Sequence, residues 1–472
     1  MPFTYNTPED ETAMLDAIGV GSIEELLEQV PADFRLRRQL DLPPAMGEME
    51  LDAHTRELAA QNAGPATHTC FLGGGAYDHF VPAVVDAIAS RGEFYTSYTP
   101  YQAEVAQGNL QAMFEYQTLV TRLTGLEVSN SSLYDGATAA AEAVLMALAA
   151  GKGRTRVVMP ASLHPEYRQT IETYLTTIAG DAVTLDTPAG VLEPETLRDA
   201  VDDQTACVLI PQPNFFGCVE RVDELTDIAH AAGALVIGVF DPVSLGVLKR
   251  PGDWGDASAK DRGADIAVAE GQGLGSPLQY GGPYLGMLAC RASLVRRIPG
   301  RIVGQTTDRR GKRCFVLTLQ TREQHIRRDK ATSNVCSNQG LLAVRATVYL
   351  SLLGPKGLQE TAGLCLQKSR YLADRLCDTG RFEPAFAAPT FKEFVLRDRR
   401  ADVDGFVRDG LEAGFLAGVP LGRWYPELSD CVLIAATEKR TREELDRFAE
   451  VFQAKRQDAK SAEHAKVLAG QA

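Results

Sequence analysis

Between about residues 65 and 330 the chain alternates short, almost unbroken apolar runs with stretches of helical periodicity, and this limits the folds open to it. RVVMP (156–160), AVTLD (182–186), ACVLIP (206–211), ALVIGVF (234–240), ADIAVA (264–269) and YLGMLAC (284–290) have the length of strands and little polar alternation. A strand that is apolar on both sides must be covered on both sides, and the helical stretches between the runs supply the cover. One such stretch is explicit: Val222, Leu225, Ile228 and Ala229 share a face, and Gly233 ends it. The pattern predicts an α/β chain built on a mostly parallel sheet.

The flanks read differently. Thr7, Pro8 and the acids Glu9 and Asp10 form a helix start, with an oxygen cap, a proline in the first turn and negative charge at the positive dipole end. Ser22 with Glu25 has the spacing of a capping box, followed by Ile23, Leu26, Leu27 and Val30 at helical spacing. After about residue 385, FKEFVLRD, a helix through the 400s, CVLIAAT and a capped helix from Thr441 suggest a smaller α/β unit. The expected division is an N-terminal helical arm at 1–64, a large α/β domain at 65–335, a small one at 336–455 and a frayed polar tail at 456–472.

Composition narrows the function. A net charge of −14 leaves no basic surplus to displace counterions from nucleic acid. The nine cysteines are scattered with no C-x-x-C pair, so neither a zinc site nor a disulfide framework is expected. The N-terminus lacks a basic region followed by an apolar one, and no apolar run nears the ~20 residues that cross a membrane. A reduced cytoplasm is the expected setting. Gly271, Gly273 and Gly275 follow a strand, yet the third glycine comes one residue early for a dinucleotide loop and Pro277 interrupts the helix that should follow. The glycines at 73–75 and 151–153 do not lead into the G-K-[ST] of a phosphate loop.

Longer segments carry a specific resemblance. FLGGGAYDHFVP, YTSYTPYQAEVAQGNLQAMFEYQTLVTRLTGLE, SLYDGATAAAEA, EGQGLGSPLQYGGPYLG and QTREQHIRRDKATSNVCSNQ together run from about 70 to 340. They resemble the P-proteins of the glycine cleavage system, and within them subunit 1 of the two-subunit glycine decarboxylases. The resemblance implies a pyridoxal-phosphate type I fold, with a seven-stranded-type sheet in the large domain. It also implies an α2β2 assembly whose second, β subunit holds pyridoxal phosphate on a lysine, decarboxylates glycine and passes the aminomethyl group to the lipoyl arm of the H-protein. One polar segment, DASAKDRG at 256–263, reads as an insertion relative to that pattern.

The resemblance also assigns positions. In the catalytic subunit the strand-end loop reads His-Lys-Thr-Phe before Pro-His; counting five residues back from Pro277 places Gln272 where that lysine stands. An amide nitrogen is delocalised into its carbonyl and forms no Schiff base. His164, in VVMPASLHP, falls on the histidine that stacks on the pyridine ring, and Asp241, in FDP, on the acid that pairs with the pyridine nitrogen. Residues 132–143 fall on the helix start that takes the cofactor's phosphate, with Ala139, Ala140 and Ala141 crowding it. The implication is a pseudo-site of His164, Asp241 and Gln272 without a catalytic residue in this chain. His164 also fits as a hydrogen-bonded core histidine, Asp241 as a strand-end cap and Asp135-Gly136 as a turn.

Enzymes of this fold complete each active site across a dimer interface. The segment Phe94–Gln102 is the candidate lip, with Tyr95, Tyr98 and Tyr101 offering flat faces and phenol donors. Thr321, Arg322, His325, Arg327 and Arg328 cluster donors suited to a carboxylate, a phosphate or an acidic partner, or to a solvated helix face. Tyr95, Tyr98 and Thr321 are the residues expected to reach the partner's cofactor. Two other readings remain open: an autonomous pyridoxal-phosphate enzyme, for which the lysines nearest the loop in sequence, Lys260 and Lys312, lie outside it, and a non-enzymatic scaffold.

Overall fold

The computed structural model describes residues 5–259 and 262–453. Contacts divide the chain into two compact units, Met1–Asn62 and Ala63–Ala472. The first carries helices α1 (Pro8–Ile18), α2 (Ile23–Leu26) and α3 (Glu48–Ala60). The Thr7 hydroxyl accepts the Asp10 N–H and the Asp10 carboxylate accepts the Thr7 N–H, which is the cap chemistry the sequence suggests. At α2 only half of the expected box forms: Ser22 accepts the Glu25 N–H, while the Glu25 carboxylate reaches past it to the Gly21 N–H. None of the three helices buries a residue.

The second unit is built on a seven-stranded sheet: β1 (Val128–Ser129), β2 (Arg156–Pro160), β3 (Asp181–Leu185), β4 (Thr205–Gln212), β5 (Leu235–Phe240), β6 (Ile266–Glu270) and β7 (Gly286–Cys290), in the order β1-β7-β6-β5-β4-β2-β3. The five strands β2 to β6 run parallel, and β7 is antiparallel to both its neighbours. This is the mostly parallel sheet expected, with strand ends one or two residues from those read in the sequence. The apolar runs could not show that YLGMLAC reverses direction, because a strand covered on both faces reads the same either way. Helices α4 (Gln107–Thr124), α5 (Gly136–Ala150), α6 (Pro165–Leu175) and α7 (Val222–Ala231) flank the sheet. α7 presents Val222, Leu225 and Ala229 to a core with Val208, Ile210 and Val236, and Gly233 follows it at φ 70°.

The long helix α8 (Gly340–Asp378) bends at Gly354-Pro355, where Gly354 takes φ 59° and the proline removes a helix donor. It leads into a four-stranded antiparallel sheet of β8 (Phe382–Pro384), β9 (Glu393–Asp398), β10 (Val419–Pro420) and β11 (Cys431–Ala435), ordered β8-β9-β11-β10. Helix α9 (Val403–Glu412) and a helix over 442–453 pack Phe406, Phe448 and Phe452 against it. Thr441 and Glu444 cap the latter reciprocally. The hairpin Ile302–Thr307/Arg313–Thr318 was not anticipated. Lys260 and the tail at 456–472 lie outside the described residues, and Lys312 sits at the turn of that hairpin. Among the described residues no helix is long and apolar enough to cross a membrane.

Candidate functional site

The carboxyl ends of β2, β4, β5 and β6 open onto one crevice, the place where parallel α/β sheets present their functional groups. A cavity of about 70 Å³ lies there, and its lining includes His164, Asp241, Glu270, Lys392 and Glu393. Each strand contributes its last residues or the loop just beyond, because the backbone there has left the ladder and its side chains are free to converge.

His164 caps α6. Its Nε2–H donates to the Gly74 carbonyl at 2.8 Å and its Nδ1 accepts the Glu166 N–H at 3.1 Å, an arrangement that fixes one neutral tautomer. Burial holds the ring below the usual histidine range, with the Gly74 bond opposing. Its face is covered by Tyr167, centroids 4.9 Å apart and planes at 27°. Asp241 accepts the Val243 N–H through Oδ1 and pairs through Oδ2 with Lys392 Nζ at 2.7 Å.

Lys392 is the residue that the sequence concealed. It stands just before β9, more than a hundred residues beyond the strand-end loop, and its side chain is only 2% exposed. Its ammonium meets Asp241, lies 3.0 Å from His79 Nε2 and sits 3.4 Å above the Tyr77 ring. His79 Nδ1 in turn donates to Glu438 at 2.6 Å. The ring nitrogens are thus accounted for without an ion, although His79, Cys365 and Glu438 place ligand atoms within 4.8 Å of one another. Beside this chain of charges Glu393 accepts the Gly74 N–H at 2.6 Å and the Tyr77 hydroxyl at 2.7 Å; burial raises its carboxyl to about 7 against those donors. Lys312, at the turn of its hairpin, is not part of the lining. In space Lys392 is the lysine of this crevice, and a charged side chain next to a strand gives no sequence sign of such a position.

Gln272 is fully buried. Its carbonyl accepts the Tyr77 N–H at 2.8 Å, while its amide donates to Tyr77 O at 3.0 Å and Ser276 O at 2.7 Å. The amide therefore clamps the Tyr77 backbone as a neighbouring strand would, and Gly273 takes the place on the cavity wall.

Glu270, the last residue of β6, was likewise missed. Its Oε2 accepts the Gly136 N–H at the start of α5, and its Oε1 accepts those of Gln272 and Leu285, at 2.9, 2.9 and 3.0 Å. Desolvation pushes its carboxyl up to about 8 while the three N–H donors pull it down. An acid directly ending an apolar strand was the available signal. Gly136 is required here, since a Cβ would overlap the Tyr167 hydroxyl.

The remaining candidates lie outside this cavity. Tyr95 and Tyr98 are 69% and 80% exposed, and Thr321 is exposed on a short turn. Tyr101 is engaged within the chain: its hydroxyl accepts from Arg301 at 2.9 Å, and the guanidinium lies over its ring. Arg322 donates to the carbonyls of Ile298 and Gly300, and the buried pair Arg301–Glu323 anchors the same segment. That leaves Arg327 and Arg328 as exposed cations on a series of short turns, where a single helix face was one expectation.

The family described as the glycine cleavage system P-protein matches residues 3–452. The chain belongs to that family. A relative from Carboxydothermus hydrogenoformans, described as probable glycine dehydrogenase (decarboxylating) subunit 1, is 49% identical over 96% of this chain and 99% of its own. A crystal structure of a glycine decarboxylase (P-protein) of the glycine cleavage system in inhibitor-bound form is 42% identical. It superposes with a TM-score of 0.85 over 96% of this chain and all of the other. A glutamate decarboxylase from Lactobacillus brevis, at 12% identity and TM-score 0.68, shares the fold alone. The fold is that of the type I pyridoxal-phosphate enzymes, as expected.

The residues present in this P-protein family member do not fit that cofactor. The strand-end loop offers an amide already bonded three times. The one lysine in the lining is held by Asp241 and His79. Gly136 N–H at the helix start is taken by Glu270, and 70 Å³ is far below the roughly 300 Å³ of a typical small-molecule site.

Proposed function

We propose that this chain is the lysine-less subunit of a two-subunit glycine dehydrogenase (decarboxylating). In this reading it pairs in an α2β2 assembly with a lysine-bearing homologue that holds pyridoxal phosphate. The assembly decarboxylates glycine and transfers the aminomethyl group to the lipoyl H-protein. The observation that carries the reading is Gln272: the amine that aldehyde chemistry needs is replaced by a buried, fully bonded amide, in a chain that spans the full length of its subunit 1 relatives. The contribution of this chain is then structural support and a lip for the partner's site, with Tyr95, Tyr98 and Thr321 as the residues that reach across.

The first unit supports an obligate partner. Its helices are capped but bury nothing, and Met14, Ile18, Leu26, Leu27, Phe34 and Leu40 stand exposed. The test is co-expression with the lysine-bearing subunit and an assay of glycine–bicarbonate exchange, alongside the lone chain treated with pyridoxal phosphate and borohydride. Activity confined to the pair, with no stoichiometric lysine adduct on this chain, is the expected result. A stoichiometric adduct on Lys392 with activity of the lone chain would establish an autonomous enzyme instead.

A further inference from the structure

We propose that the bend of α8 shapes a binding site for a free medium-chain aliphatic carboxylate, with its chain among leucines and its head on Arg122. The site shares no lining residue with the crevice, so the inference holds whichever subunit binds the cofactor.

The cavity measures about 300 Å³ and lies between α4, α8 and the turn Ser244–Gly246 that follows Asp241. That volume reaches the range of small-molecule sites, which the crevice does not. Its origin is the bend. Gly354 leaves helical geometry ahead of Pro355, and a Cβ on Gly354 would meet nothing within 4 Å. The two halves of α8 therefore present Leu350 and Leu358 on either side of a gap, where a straight helix would continue its ridge of side chains. Leu119 and Leu123, four residues apart and so on one face of α4, form the opposite wall, and Leu245 closes the third side. Gly246 fixes that side: a Cβ there would overlap the Leu358 carbonyl oxygen, so the turn rests directly on α8.

The edge of this apolar slot carries charge of one sign. Arg122 and Arg250 line it, and no carboxylate does. Arg250 is engaged, since its Nε donates to Asp253 at 2.7 Å and its Nη1 to the Arg122 carbonyl at 3.3 Å. The Arg122 side chain is exposed and joins no ion pair among the described residues. An uncommitted guanidinium beside a leucine-lined slot fits an anion on an apolar tail, and a carboxylate can take two parallel bonds from it. Volume sets the length. At ~30 Å³ for each water-sized group the slot holds about ten heavy atoms, the number in octanoate.

The experiment titrates the full-length chain with octanoate, read by calorimetry and by thermal midpoint. Saturable 1:1 binding with a Kd of about 1 mM or below is expected, with a rising midpoint. Arg122→Glu should weaken it about tenfold, and 1-octanol, which lacks the carboxylate, should bind the unsubstituted chain about tenfold more weakly than octanoate does. Leu123→Trp, which fills the slot, should abolish it. Arg309→Glu, an exposed arginine at the turn of the hairpin, is the control and should change nothing. No saturable binding overturns the proposal, as does octanol binding equal to octanoate, or an equal loss in Arg309→Glu. An unaltered affinity in Arg122→Glu, or in a folded Leu123→Trp, overturns it too. Should Leu123→Trp fail to fold, Arg122→Glu decides alone, because an exposed side chain can be changed without disturbing the core.

Discussion

Replacing Gln272 by leucine tests whether this buried strand-end amide is structural. The side chain keeps about its volume and loses its carbonyl and amino groups. The Tyr77 N–H then has no acceptor in a fully buried setting, which costs about 1–3 kcal/mol. Ser276 O loses the amide donor, at about 1 kcal/mol or somewhat more. Tyr77 O keeps the His79 N–H at 3.0 Å, so its loss is small. Burying a leucine where an amide stood returns about 1 kcal/mol. The expected net destabilisation is about 1–3 kcal/mol, read as a lower urea midpoint at unchanged slope. Hydrogen exchange at the Tyr77 amide should accelerate in parallel. Gln272→Lys should be worse: its ammonium can donate to both carbonyls but cannot accept the Tyr77 N–H, and a buried cation adds several kcal/mol. It should also form no aldimine. A Gln272→Leu chain within about 0.5 kcal/mol of the unsubstituted one, with Tyr77 protection intact, refutes this account.

Lys392→Met should destabilise the chain by about 3–5 kcal/mol in a denaturant melt, because it leaves Asp241 without its cation. Glu270 and Glu393 have carboxyls raised to about 8 and 7, so their native forms hold protons that the unfolded chain releases near 4.5. The stability they confer is complete below that value and declines as pH rises to 7–8, by up to about 3 kcal/mol for Glu393 and about 5 kcal/mol for Glu270. Melting at pH 5.5 and 8.5 should show the decline, and Glu393→Gln should flatten it. In the assembled enzyme, Tyr95→Phe or Tyr98→Phe should weaken cofactor affinity about tenfold or more if the hydroxyl meets a charged phosphate; two variants that assemble normally and match the unsubstituted complex in titration would move the lip to other residues, Thr321 first. Deleting residues 1–62 should abolish co-purification with the lysine-bearing subunit, which a pull-down reads directly.

The sheet was legible because each of its longer strands is a local event: an apolar run whose neighbours turn polar or helical. The caps at Thr7 and Thr441 were legible for the same reason, since an oxygen and an acid three residues apart need nothing distant. Gln272 could be located by its spacing from Pro277, yet its role could not, because its bonds go to Tyr77, 195 positions away. Lys392 and His79 are still farther apart, at a separation of 313 positions, and neither sits in a pattern that distinguishes it from a surface charge. Glu270 lay in plain view at a strand end. What was missing was the convergence of α5 and the Leu285 loop on its carboxyl, which only the tertiary fold supplies.

The line of groups Asp241, Lys392, His79 and Glu438 runs between the two sheets: Asp241 follows β5 of the large sheet, Lys392 precedes β9 of the small one, and Glu438 follows β11. Any hinge motion that separated the sheets would have to pull an ammonium from its carboxylate inside the protein, at a cost of about 3–5 kcal/mol unless water followed it in. A chain bolted in this way has little freedom to clamp down on a ligand of its own. Its two sheets are set to behave as one anvil, a block that yields only if that buried ion pair is broken.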